Sequence, residues 1–176
     1  MNKIKRFFLF FCIALVLIFF DQWTKHLAVA FLKGGAEIAL LPHILYLLYV
    51  ENPGAAFGIL RGQQFFFLLI TIVVLFGILY TVWKIPSSFR SGQTEKEKSR
   101  SYYPLFWALC FVFSGAIGNC IDRQLRAYVV DFIYFSPIDF PVFNVADIYV
   151  SVSAFLLLLL FMFYYKETDF SFVKRK

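Results

Sequence analysis

The sequence has no Cys-x-x-Cys pair, no Gly-x-Ser-x-Gly elbow, no paired Ser-Lys motif and no internal repeat. The first absence removes a redox dithiol, and the odd total of three cysteines, Cys12, Cys110 and Cys120, all in or beside apolar stretches, reads as small buried hydrophobes. The second and third remove the usual settings of a serine nucleophile. Histidine is scarce too. His26 and His43 fit no metal-ligand spacing, so neither a metal nor another cofactor is expected. Charge is sparse, at 16% of residues, while hydrophobic residues make up 61%. That share exceeds the roughly 45–50% of soluble proteins, so lipid must be part of the solvent.

The net charge of +6 does not signal nucleic acid, because the basic residues lie between apolar runs and form no exposed stripe interleaved with stacking aromatics. A spanning helix needs about 20 mostly apolar residues. Four stretches meet that length: about 7–31, 64–83, 104–121 and 147–165. Orientation follows from Lys and Arg, which stay in the cytoplasm. Lys3, Lys5 and Arg6 precede the first stretch; Lys84, Arg90, Lys96, Lys98 and Arg100 lie in a solvated loop over 84–103; Lys166, Lys174, Arg175 and Lys176 follow the last. Both termini are therefore expected in the cytoplasm. A connector of 32–63 is left outside, and Ile44–Val50, an Asn52-Pro53-Gly54 turn and Ala55–Leu60 predict strand, turn and strand. The expected architecture is a single domain, 1–176: an all-α integral membrane protein with four transmembrane helices and a small β-rich region on the outer face.

This orientation gathers acids at one depth. Asp21, 14 residues after Phe7, stands about 21 Å along the first helix. Asp122 closes the third helix and Asp147 opens the fourth. Ionisable groups at membrane depth are costly and mark function by default. Asp122 follows Ser114-Gly115-Ala116-Ile117-Gly118-Asn119, a low-bulk face that lets another chain approach closely. Asn144 three residues before Asp147 has the spacing of a helix cap. Capping and packing alone would account for these residues singly. Two carboxylates at one level can instead share a proton, one donating to a carbonyl while the other takes a proton from water. A transporter, which favours inverted repeats and polar groups at the midplane, and an assembly factor with an outer polar cluster are the alternatives.

Five blocks in order carry a resemblance: Asp21-Gln22-Trp23-Thr24-Lys25; Asn52-Pro53-Gly54-Ala55-Ala56-Phe57; Gly115-Ala116-Ile117-Gly118-Asn119 through Asp122-Arg123; Val129-Val130-Asp131-Phe132-Ile133; and Phe143-Asn144-Val145-Ala146-Asp147. Together they are similar to the bacterial lipoprotein signal peptidases, or type II signal peptidases. The resemblance covers Asp21 to Asp147 and departs from the family pattern at Ser114, where many members have glycine, and in the outer segment. It implies an aspartyl endopeptidase of the bacterial inner membrane. Such an enzyme cuts prolipoproteins before a diacylglyceryl-modified cysteine, near the outer face. Carried over by motif, Asp122 and Asp147 are the expected catalytic pair. Asp21, Lys25, Asn52, Gly54, Asn119, Arg123, Asn144 and Ala146 are the expected substrate-binding and supporting residues, and Asp131 is expected to be structural. The expected partners are the lipid-modified substrate and membrane lipids, with no nucleic acid.

Overall fold

The computed structural model describes residues 1–54, 62–88 and 100–174. Helix α1 spans Lys3–Leu32, and Asn2 caps it by accepting the Lys5 N–H at 2.8 Å. Gly34, at φ 76°, turns the chain away after it. Strands β1 (Ile38–Leu41) and β2 (Leu45–Asn52) follow, then α2 (Gln64–Lys84), α3 (Tyr103–Arg126), strand β3 (Val129–Phe135) and α4 (Val145–Leu159). Helix α4 runs on through a π-helical turn to Tyr164. Pro104 sits in the first turn of α3, where its missing N–H costs nothing, and Ala127 in the left-handed conformation ends it. Three of these helices, α2, α3 and α4 with its extension, are long and apolar enough to cross a membrane. Helix α1 has the length and an uncharged run over 7–20, but it buries Arg6, Asp21 and Lys25.

The helices pack through aromatics. Phe10 of α1 meets Phe106 and Phe113 of α3 edge-on at 5.8 and 5.1 Å between centroids. Large residues elsewhere, including Phe65, Phe76, Phe155 and Phe163, point outward, as a lipid solvent permits. Of the cysteines only Cys110 is buried; Cys12 is exposed, because its position on α1 faces away from the bundle.

The sheet differs from the expected hairpin. Its order is β1-β2-β3, all antiparallel, and the tight turn lies between β1 and β2. There Pro42 is followed by His43 at φ 65°, and the Ile44 N–H reaches the Leu41 carbonyl at 3.0 Å. Proline followed by a positive φ is what a type II turn uses. The Asn52-Pro53-Gly54 segment instead ends β2, and the second expected strand, 55–60, lies outside the described residues. The distant run Val129–Phe135 pairs with β2, Asn52 opposite Val129 and Val50 opposite Asp131. Local alternation carries no record of a partner that far along the chain. Helix α3 also continues beyond the expected end at 121, so Asp122 stands inside its last turns.

Candidate functional site

Helix α1 brings in Asp21 and Lys25, one turn apart on the same face, with Lys25 Nζ 3.0 Å from Asp21 Oδ2. The same ammonium lies 3.1 Å from Asp122 Oδ2 and donates to Asn119 Oδ1 at 2.8 Å, both on α3. Lys25, Asp21 and Asp122 are all at most 1% exposed. Burial of such charges is tolerated only when each is paired and hydrogen-bonded, a condition this cluster meets. Asp21 reaches further and accepts the Ala146 N–H at 2.9 Å, so a carboxylate from α1 neutralises the start of α4.

Two glycines let these elements close. A Cβ on Gly118 would collide with the Asp21 carboxylate, and one on Gly115 would lie 2.5 Å from the Ala146 carbonyl oxygen. The expectation of a low-bulk face on α3 is met here, and the approaching chain is α4 itself.

A second polar set lies beside the first, around a cavity of about 190 Å³. Its polar lining is Asn52, Asn119, Arg123, Asp131, Asp147 and Ser151; Val129, Phe140, Pro141, Val142 and Phe143 complete the wall. Asp131 and Asp147 share this cavity, and every oxygen of the two carboxylates receives a donor. Asn52 Nδ2 and Asn144 Nδ2 donate to Asp131 Oδ2 and Oδ1 at 2.8 and 2.6 Å. Asn119 Nδ2 and the Asn144 backbone N–H donate to Asp147 Oδ1 and Oδ2 at 2.7 and 3.1 Å. Asn144 therefore touches both acids. Asn52 reaches Asp131 because residues diagonal across β2 and β3 point to one side of the sheet. Burial, and then the neighbouring Asp147 carboxylate, push the Asp131 carboxyl up to about 6, against the pull of its two amide donors.

Asp122 stands elsewhere. It does not line the cavity; its Oδ2 holds Lys25 and the Val130 N–H, the latter at 3.2 Å. It thereby ties α3 to the backbone next to Asp131. The structure thus brings Asp147 together with Asp131, an acid in the apolar run Val129-Val130-Asp131-Phe132-Ile133, and sets Asp122 in the ion cluster behind them. An acid in an otherwise apolar strand was the signal in the sequence for Asp131.

The remaining expected residues surround the cavity. Gly54 donates its N–H to Asn52 Oδ1 at 3.0 Å and offers its carbonyl to Arg123 Nη2 at 3.1 Å. The guanidinium of Arg123 lies 4.5 Å from the Phe67 ring centroid and makes no ion pair with Asp122. Ala146 is fully buried against the Gly115–Gly118 face, and its N–H makes the bond to Asp21 described above. From Asn119, Arg123 and Asp147 a groove of about 320 Å³ continues between α2 and α4 past Ile70, Val74 and Val150. Among the described residues no group of His, Cys, Asp and Glu side chains is arranged to hold a metal ion.

Comparison with known proteins gives one answer. Residues 13–163 match the family model described as signal peptidase (SPase) II. The lipoprotein signal peptidase of Brevibacillus brevis is 40% identical over 150 residues, covering 85% of this chain and 92% of that protein. Its counterpart in Halalkalibacterium halodurans is 43% identical over 141 residues, covering 79% and 82%. A solved bacterial membrane enzyme, obtained in meso at 2.3 Å resolution, superposes with a TM-score of 0.71 at 33% identity, covering 90% of this chain and 92% of its own.

Proposed function

The chain belongs to the signal peptidase II family of aspartic peptidases, and from that membership we propose that it cleaves bacterial prolipoproteins before a diacylglyceryl-modified cysteine, with Asp131 and Asp147 as the catalytic pair. The observation that carries the pair is that these two carboxylates, and among the described residues no third, line one cavity and are joined through Asn144. The pairing of Asp122 with Asp147 expected from the sequence is replaced, because Asp122 is committed to Lys25 and the Val130 amide.

The reaction follows from the geometry. Asp131, whose ionisation burial and the neighbouring Asp147 carboxylate oppose, carries the shared proton and donates it to the scissile carbonyl oxygen. Asp147 takes a proton from water as the water oxygen bonds to the carbonyl carbon. The tetrahedral intermediate then breaks its C–N bond as the proton held by Asp147 passes to the departing amine of the cysteine, and one of its two hydroxyls returns a proton to Asp131 as the C=O bond re-forms. The four amide donors around the pair hold both acids in place through these steps.

Substrate access follows from the membrane. In the proposed topology α1 is a fourth crossing, both termini are cytoplasmic and the cavity lies near the outer face of the inner membrane. The groove between α2 and α4 runs from Asp147, and its apolar walls suit the hydrophobic segment of a signal peptide. The acyl chains of the modified cysteine would then remain in the outer leaflet.

The test is incubation of detergent-purified enzyme with a diacylglyceryl-modified prolipoprotein, followed by mass analysis. Two separate products, the signal peptide and a chain that begins at the modified cysteine, are expected with the wild type and none with Asp131→Asn or Asp147→Asn. An intact substrate in the wild-type reaction would remove the reading.

A further inference from the structure

We propose that Lys25 is a positioning residue for catalysis: its ammonium dictates which way the side-chain amide of Asn119 faces, and thereby delivers an N–H donor to Asp147. The inference rests on the assignment of Asp147 to the catalytic pair.

Lys25 does not line the cavity, so it acts through what it holds. Its three N–H groups meet three oxygens, Asp21 Oδ2 at 3.0 Å, Asp122 Oδ2 at 3.1 Å and Asn119 Oδ1 at 2.8 Å. An ammonium only donates, so the Asn119 atom facing it must be the oxygen. The amide nitrogen is thereby turned to the opposite side, where it donates to Asp147 Oδ1 at 2.7 Å. Asn144 Nδ2 adds a second, longer contact to the same Asn119 oxygen at 3.2 Å.

An asparagine amide is nearly symmetric in shape, and either orientation would fit the space. Without Lys25, the carboxylates of Asp21 and Asp122 would lose their cation and attract the Asn119 amide nitrogen. The flipped amide would set Oδ1 against Asp147 Oδ1, two acceptors with no proton between them. Lys25 thus does two tasks with one charge. It neutralises the buried acids and keeps them from competing for the donor that Asp147 needs.

A double-mutant cycle separates this from a merely structural role. The variants are Lys25→Met, Asn119→Leu and both together, assayed with a synthetic diacylglyceryl prolipoprotein peptide in detergent micelles. Thermal unfolding confirms that each variant is folded. Each single change is expected to lower kcat roughly 100-fold with KM within about threefold, the size of loss typical of supporting residues that hold a reactive group. The double variant should be no worse than Asn119→Leu alone, since Lys25 acts through Asn119. Penalties that multiply, or a loss carried by KM, would overturn the proposal. Should Lys25→Met fail to accumulate folded, the charge-balanced Lys25→Met/Asp122→Asn takes its place, with Asp122→Asn as its parent. Asp131→Asn and Asp147→Asn run alongside: if either turns over, the catalytic pair is wrong; if both are inactive and the cycle is additive, only the role of Lys25 fails.

Discussion

Asn144 and Asp147 hold each other twice: the Asn144 side-chain oxygen accepts the Asp147 N–H at 3.0 Å, and Asp147 Oδ2 accepts the Asn144 N–H at 3.1 Å. This capping box starts α4 and, in the same act, immobilises a carboxylate at the edge of the cavity. Local helix chemistry and the site are one feature here. In the proposed pair the cap does not compete with catalysis as an explanation; it holds Asp147 in place.

Asp122→Asn should behave unlike the paired acids. It keeps an oxygen for the Val130 N–H but removes a charge facing Lys25, so turnover should fall about 10-fold and remain measurable. Asp131→Asn should fall by 10³-fold or more, as loss of a general acid does. Initial rates under saturating substrate decide between the two. A dead Asp122→Asn beside an active Asp131→Asn would restore the pairing first read from the sequence.

Stability should carry the mark of Asp131. An acid whose folded-state carboxyl is pushed up to about 6 is harder to ionise folded than unfolded. Its ionisation therefore destabilises the fold, an effect absent below about pH 4, growing to about pH 6 and complete above. The Tm of Asp131→Asn minus that of the wild type should rise over that window and stay flat beyond it. A difference that is level from pH 4 to 7 would contradict the burial argument.

Gly118→Ala should unsettle the site from behind. The added methyl would strike the Asp21 carboxylate, which caps α4 and binds Lys25, and overpacking of this kind costs about 1–3 kcal/mol. Gly77→Ala is the control, since nothing lies within 4 Å of a Cβ there and alanine favours the helix. Detergent thermal melts should show a lower Tm for the first and an unchanged or higher one for the second.

The C-terminal segment should matter to stability alone. It folds back so that Asp169 accepts from Arg100 at 3.0 Å, and the buried Phe172 packs edge-on against Tyr102 at 5.1 Å. Asp169 and Phe172 lie beyond the residues that match the family model, whereas their partners Arg100 and Tyr102 lie within them. Phe172→Ala should cost about 3 kcal/mol by loss of a packed aromatic, with kcat preserved at temperatures where the variant is folded.

Reporter fusions test the topology. One after Lys176 and one inserted after Gln93 should both read cytoplasmic, and one after Pro137 should read external. Disagreement between the first two would remove the four-crossing arrangement.

The helices were legible because lipid imposes both a length and a composition on them. Their ends were less so: Asp122 was read as closing α3, yet Gln124, Leu125 and Arg126 continue the helix and leave that acid facing Lys25. The polar residues that the fold gathers around Asp131 and Asp147 were legible through their blocks. Which acid partnered Asp147 was not, because depth in the membrane ranks residues along one axis and says nothing of the other two. Asp131 owes its place to β3 pairing with β2, a register no local pattern records. Lys25 was named as supporting, but its three partners emerge only when α1 and α3 are set side by side.

The bond from Asp21 Oδ1 to the Ala146 N–H joins residues 125 apart. A ribosome delivers Asp21 early and Ala146 near the end of synthesis, and Asn52 must likewise wait for Asp131. With the proposed pair of Asp131 and Asp147, the site cannot be assembled before the start of α4 has been made, so hydrolytic competence is a late event in synthesis.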